Sequence, residues 1–152
     1  MIVVLDSGVL GDIANPKASS VKVKAVQQWG AQILAAGHTF CIPAIAVYET
    51  RRELVRMKAT ASVAALDAID AIPPNLYLPI TDAVLWRASE LWAQARSMGK
   101  QTAGNDALDG DVILCAQVLE AGYAPGSYIV ATTNVKHLSL FVTADVWQNI
   151  SP

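Results

Sequence analysis

The feature that most constrains this chain is its opening run, Ile2-Val3-Val4-Leu5, which is apolar throughout and ends directly on a carboxylate, Asp6. A strand with one wet face alternates apolar and polar residues. A run that does not alternate belongs to a strand covered on both faces. Such strands are typical of parallel sheets, whose connections are helices packed on either side.

The rest of the chain keeps the matching rhythm. Gly8, Gly11 and Asn15-Pro16 limit any helix after Ser7 to a short one. Ser19 or Ser20 can cap a longer helix through Ala36, with Val26, Trp29 and Ile33 at helical spacing, Gly30 and Leu34 on the flank, and Gly37 as the stop. Thr39 to Ile42 reads as a second strand, and Pro43 suits the first turn of a helix running through Glu49 to about Arg56. Thr60 to Ile72 reads as a helix closed by Pro73-Pro74. Leu76 to Ile80 is the third strand, with Pro79 placing it at an edge or Pro79 itself at the strand's end.

Thr81 caps the clearest helix, where Val84, Leu85, Ala88, Leu91, Trp92 and Ala95 form one apolar stripe that ends at Met98-Gly99. Lys100 to Leu108 reads as a loop, and Asp109 or its neighbours open a helix through Ala121, capped by Gly122. Tyr128 to Ala131 is the fourth strand, with a weak fifth near Phe141 to Trp147. The expectation is one α/β domain over residues 1–152, with a mainly parallel sheet covered on both faces. Such sheets bind ligands beyond the carboxyl ends of their strands, where the strand order reverses.

Composition narrows the class. Apolar residues make up 53% of the 152 and charged residues 16%, which argues against disorder. No apolar run approaches the ~20 residues of a membrane span. The N-terminus lacks a basic region and a cleavage site. Cys41 and Cys115 are far apart, with no Cys or His at metal spacing, so reduced thiols in a cytoplasmic protein fit better than a disulfide framework or a zinc site. A net charge of −2 and a pI of about 5.6 speak against coating nucleic acid by charge alone.

Four oxygen-bearing side chains stand at the starts or exits of elements: Asp6, Glu49, Asp111 and Asn134. Singly, each has an ordinary explanation. Asp6 and Asn134 can be turn formers, Glu49 a solvated helical residue, and Asp111 a partner for the helix dipole, with Asp109 as N-cap. Together they are carboxylates, joined by an amide, around an apolar sheet, which is the ligand set hard divalent cations prefer. Packed carboxylates repel one another unless a cation neutralises them.

Four segments resemble PIN domains, in that family's order and across almost the whole chain. Leu5-Asp6-Ser7-Gly8-Val9-Leu10 resembles the opening strand and acid. Ala44-Ile45-Ala46-Val47-Tyr48-Glu49 through Glu53-Leu54 resembles the helical glutamate segment. Asp109-Gly110-Asp111-Val112-Ile113-Leu114-Cys115-Ala116-Gln117 resembles the third acidic motif. Ile129-Val130-Ala131-Thr132-Thr133-Asn134-Val135-Lys136-His137-Leu138 resembles the closing Thr-x-Asn/Asp motif. The VapC-like ribonuclease toxins of type II toxin–antitoxin pairs give the best likeness.

The resemblance implies a three-layer α/β/α PIN-like fold with a five-stranded sheet in order 3-2-1-4-5. It implies Asp6, Glu49 and Asp111 as catalytic and metal-binding residues and Asn134 in the fourth catalytic position; apart from the resemblance, Asp109 could serve as a further metal ligand, ranked below Asp111. The activity implied is hydrolysis of RNA with Mg²⁺ or Mn²⁺, with RNA as substrate, a cognate antitoxin and a homodimer as partners. Two departures stand out: the fourth position often carries Asp and is Asn134 here, and the acid often found three residues later is His137. Both lower the negative charge of the site.

A bound divalent ion would lower the pKa of its water, with Glu49 or Asp6 orienting that water. Thr132 and Thr133 can hydrogen-bond a phosphate or a carboxylate. Arg51 and Arg52, nearest Glu49, are candidate RNA contacts, and Arg56 and Lys58 lie just beyond. Lys17, Lys22 and Lys24 read as surface. Trp29, Trp86, Trp92 and Trp147 fall mostly on apolar stripes and suit a core or a dimer contact. His38 and His137 lack sequence partners for a triad, and neither thiol has an evident base. A mean hydropathy of +0.36 favours a homodimer that hides apolar surface.

Other phosphate chemistries fit less well. A haloacid-dehalogenase phosphatase needs a second Asp where Gly8 stands, a receiver domain needs an acid after the third strand, and Gly8-Val9-Leu10-Gly11 is a poor dinucleotide-binding turn. The remaining alternative is a PIN-like domain that binds RNA or protein without cutting.

Overall fold

In the computed structural model, which describes residues 1–17, 20–69, 75–99 and 105–152, the opening run is strand β1, Ile2–Leu5. It is followed by β2 (Thr39–Pro43), β3 (Leu76–Leu78), β4 (Tyr128–Thr132) and β5 (Ala144–Val146). All pairings are parallel, in the order β3-β2-β1-β4-β5, as expected. The helices are α1 (Ser7–Ile13), α2 (Val21–Ala35), α3 (Ala44–Arg56), α4 (Thr60–Asp67), α5 (Asp82–Ser97), α6 (Asn105–Glu120) and α7 (Val135–Leu138).

The lack of alternation in β1 has a direct cause. Successive side chains point to opposite faces, and both faces are covered. Val3 and Leu5 enter one core with Val9, Leu10, Val26, Trp29, Ile33, Phe40 and Ile42; Val4 enters the other with Cys41, Val84, Leu91, Val112 and Val130. Val3, Val4 and Leu5 are fully buried. Each such side chain contributes about 1.5–3 kcal/mol on transfer from water, so a polar residue at Val4 would be strongly destabilising. The first core is closed by Trp29, whose indole N–H donates to the Ile150 carbonyl at 2.8 Å.

β1, β2 and β3 step toward one edge, and the chain then returns to lay β4 on the other side of β1. Val3 sits opposite both Phe40 and Ile129, and Leu5 opposite Ala131. The strand order therefore reverses between β1 and β4. Asp6 and Thr133 leave these neighbouring strands at the same end, as the crevice rule requires.

Local signals set most boundaries. Ser20, not Ser19, caps α2 by accepting the Val23 N–H at 3.1 Å; Ser19 lies outside the described residues. Gly37 then takes φ +83°, which other residues rarely adopt. Thr81 caps α5 through the Val84 N–H at 3.3 Å. Strand β3 stops at Leu78, before Pro79 breaks the ladder, and it lies at an edge.

Several expectations are corrected. Helix α4 ends at Asp67, short of Ile72; the Pro73-Pro74 stop and the first part of the Lys100–Leu108 loop lie outside the described residues. Helix α6 begins at Asn105, so Asp109 is not its N-cap and Asp111 stands well inside it. Trp86 is 72% exposed, which removes the core reading and leaves the dimer-contact reading, and Leu85 of the α5 stripe is about half exposed. Among the described residues, no helix is long and apolar enough to cross a membrane.

Candidate functional site

The β1–β4 ladder continues one residue past the end of β1, where the Asp6 N–H donates to the Ala131 carbonyl at 3.1 Å. That bond sets Asp6 beside Thr132, the last residue of β4. The buried Thr132 hydroxyl donates to Asp6 Oδ2 at 2.6 Å, and Thr132 Oγ1 in turn accepts the Asn134 N–H at 2.9 Å. Asp6 Oδ1 accepts the Ser7 N–H at 2.7 Å and thereby caps α1. Asp6 is thus a cap, as any Asp after a strand can be, and its second oxygen is gripped from β4.

Glu49 arrives from α3 and Asp111 from α6. The two helices approach closely at Gly110, where an added Cβ would stand 3.0 Å from Glu49 Cδ and closer still to Oε1. Thr50, next to Glu49, donates its hydroxyl to the Ser7 carbonyl at 3.0 Å and ties α3 to the start of α1. Asp111 Oδ2 lies 2.8 Å from His137 Nδ1. An ionised carboxylate only accepts, so Nδ1 carries the proton of this bond.

The three carboxylates feel one another. Burial raises the Glu49 pKa, and repulsion from Asp6 and Asp111 adds to it, while the Ser7 hydroxyl and the Arg52 charge pull it down. Burial likewise raises Asp111, with Asp6 repelling it and the bond and charge of His137 working the other way. The same field reaches Cys115, one turn beyond Asp111, whose thiol is raised by burial and then by Asp111 and Asp6. That thiol is buried and poorly ionised, so it is no nucleophile.

Asp6, Glu49 and Asp111 therefore share one locality, at the end of the sheet where the strand order reverses. Beside it lies an open cleft of about 420 Å³, walled by Ser7, Gly8, Gly11, Glu49, Thr50 and Arg52. Asn134 stands two residues past Thr132; its side chain is exposed and makes no hydrogen bond among the described residues. Thr133 is exposed and packs near Gly8, where an added Cβ would stand 3.3 Å from its hydroxyl oxygen.

The remaining candidates diverge. Asp109, two residues before Asp111, is exposed and lines a separate apolar groove with Leu85, Ala88, Trp92, Val112 and Ile113. Arg51 is spanned by Asp67 of α4, with Nε–Oδ1 at 2.8 Å and Nη2–Oδ2 at 3.2 Å. Arg52 faces the cleft and stacks over the Tyr48 ring at 5.4 Å. Lys22 pairs with Asp12 at 2.8 Å on the surface of α2.

Sequence reasoning missed the partnership of His137. The available signal was its place one helical turn past Asn134, on a segment that the crevice rule already sends to the site. Gly110 was also missed, because a glycine between two aspartates reads as a helix start. In fact it lies within α6 and makes room for Glu49.

A hard divalent cation fits this donor set. Burial and the charge of Asp6 raise the proton affinity of Glu49 and Asp111, and a cation would offset that repulsion without any soft ligand. Among the described residues, no three His, Cys, Asp or Glu side chains already stand as a coordination shell. Instead, Asp6 Oδ2 and Asp111 Oδ2 are held by Thr132 and His137.

No family model matches the sequence, and no curated protein matches it. Solved structures do match the fold. VapBC2 from Rickettsia felis, solved with a DNA fragment from its promoter, superposes with a TM-score of 0.66 at 15% identity, covering 97% of this chain and 99% of that one. FitAcB from Neisseria gonorrhoeae gives 0.63 at 18%, over 97% and 99%. VapC20 from Mycobacterium tuberculosis, described as a toxin that cleaves the sarcin–ricin loop, gives 0.65 at 12%, over 92% and 96%. At these identities the likeness is one of fold: the chain has the PIN-like fold, with the sheet order the four motifs imply.

Proposed function

We propose that this chain is a metal-dependent endoribonuclease, a hydrolase of RNA phosphodiester bonds, acting as the toxin of a toxin–antitoxin pair. The observation that carries the reading is the meeting of Asp6, Glu49 and Asp111 from three different elements, with Glu49 and Asp111 both destabilised as anions. Stability alone gives no reason to gather three carboxylates there. The fold shared with VapC-type structures supports the same reading.

Asp6, Glu49 and Asp111 would hold Mg²⁺ or Mn²⁺. When bound, such an ion lowers the pKa of water and offsets charge on the scissile phosphate. The chain's own groups do the rest. Thr132 and the α1 N-terminus fix Asp6, and Glu49 or Asp6 would orient the attacking water and accept its proton. Arg52 faces the cleft and offers a charge to the RNA backbone; Thr133, near Gly8 of the cleft wall, and the exposed Asn134 would donate hydrogen bonds to phosphate. We assign the whole of 1–152 to one PIN unit, working in the cytoplasm as a homodimer and held in check by an antitoxin.

Purified protein should cut single-stranded RNA with Mg²⁺ or Mn²⁺ and stop in EDTA, and Asp6→Asn should abolish cleavage while leaving the fold intact. Equal cleavage in EDTA would overturn the metal mechanism. Failure to cut across metals and substrates, with RNA still bound, would favour the non-cleaving alternative.

A further inference from the structure

The Asp111–His137 bond joins two elements that the sequence keeps 26 residues apart. His137 belongs to α7, a four-residue helix that follows the exit of β4. It is only 8% exposed, although an imidazole gains hydration at the surface. A buried polar ring persists where it satisfies a partner, and His137 Nδ1 lies 2.8 Å from Asp111 Oδ2. The other Asp111 oxygen has no hydrogen bond among the described residues.

The neighbouring acid is held in the same way and from the same segment. Thr132 takes Asp6 Oδ2 at 2.6 Å, and five residues later His137 takes Asp111 Oδ2 at 2.8 Å. The short span from Thr132 to His137 thus fixes two acids that come from two other elements. Asn134 reinforces it by donating its backbone N–H to Thr132.

From this geometry we infer that His137 is a positioning residue for metal binding: it holds Asp111 by one oxygen and so reserves the other for the cation. The inference rests on the metal-nuclease reading above. In this arrangement His137 Nδ1 is engaged with Asp111 and acts on the ion through it. An Asp111 released from this bond would be free to rotate about χ1 and χ2, and the ion would have to bear the cost of ordering it.

The test is Mn²⁺ binding to the full chain, measured by calorimetry and by the free-Mn²⁺ electron paramagnetic resonance signal, well below the melting temperature. His137→Ala should weaken Mn²⁺ by about 10–100-fold, the range for lost outer-shell partners. His137→Asn, whose amide N–H can reach the place of Nδ1, should recover most of that loss. A merely structural role would lower the melt without this selective recovery. Wild-type affinity in His137→Ala, or equal loss in the Ala and Asn variants, overturns the inference. Asp111→Asn is run in parallel: weak binding there with normal binding in His137→Ala sinks this inference alone, whereas normal binding in Asp111→Asn sinks the metal reading with it. Should His137→Ala not fold, His137→Asn against His137→Gln decides. Asn near wild type and Gln weakened supports the positioning role, and equal affinities overturn it.

Discussion

The Glu49 carboxylate rests directly on the backbone of Gly110, so closely that a Cβ at that position would stand 3.0 Å from Glu49 Cδ. A glycine inside a helix costs about 1 kcal/mol relative to alanine. Here the empty Cβ position is where a functional side chain comes to lie, so the cost is linked to the site and not to a turn.

Gly110→Ala should therefore separate stability from function. The atoms in the way are the far end of a flexible side chain, which can swing aside. Helix α6 should keep or gain up to about 1 kcal/mol, while Glu49 loses its place. A thermal melt that is unchanged or raised, with Mn²⁺ affinity and RNA cleavage clearly reduced, is the expected pair of results. A variant that is as active as wild type would show that the position of Glu49 does not matter.

Thr132→Val should act through Asp6. The change keeps shape but removes the donor to Asp6 Oδ2 and the acceptor for the Asn134 N–H. Loss of satisfied buried groups costs about 1–3 kcal/mol, readable as a lower denaturation midpoint. Thr132→Ser should retain both bonds and most of the stability. If Val and Ser behave alike, the bond to Asp6 contributes nothing measurable.

The acids also set a pH dependence. Glu49 and Asp111 both have folded pKa values above their ordinary ones, chiefly from burial. For such groups the stabilising contribution is present below the unfolded pKa and is lost as pH rises through the folded one. Metal-free protein should lose stability over that rise relative to a Glu49→Gln, Asp111→Asn double variant. Mg²⁺ should restore it, and more so at the higher pH, where protons no longer compete. Melts in EDTA across pH 4 to about 8 check the sign, and parallel curves for the two proteins would rule out the strain.

Much of this was legible in the sequence, for physical reasons that differ by residue. β1 announced itself because burial on both faces leaves no room for a polar residue among Val3, Val4 and Leu5. From that strand, the crevice rule led to Asp6 and to the exit of β4. The start of α6 was not legible, because Gly104, Asn105 and Gly110 look locally like breakers, and only the approach of Glu49 explains Gly110. Nor was the Asp111–His137 pair, since a contact between α6 and α7 leaves no periodic trace in the chain. The long arginines gave no hint of their directions either: adjacent on α3, Arg51 turns to Asp67 and Arg52 to the cleft.

That divergence yields the last prediction. Arg51 and Arg52 looked equivalent as RNA contacts, yet one is bound bidentately by a neighbouring helix and the other stacks on Tyr48 at the cleft wall. Arg52→Ala should weaken single-stranded RNA binding and flatten its salt dependence by about 0.7 log units per tenfold salt, the value for one phosphate contact on a single strand. Arg51→Ala should leave that slope unchanged and barely move the melt, because its pair with Asp67 is exposed and screened. Tyr48→Ala tests the support beneath Arg52: freeing the guanidinium costs order at binding, so affinity should fall while the slope persists. The measurement is RNA binding at several salt concentrations for each variant under a metal-free condition, so that cleavage does not intervene. Equal slopes for Arg51→Ala and Arg52→Ala would mean that direction in the free protein does not decide which arginine meets the RNA. A reduced slope for Arg51→Ala alone would reverse the assignment and require the Asp67 pair to open on binding.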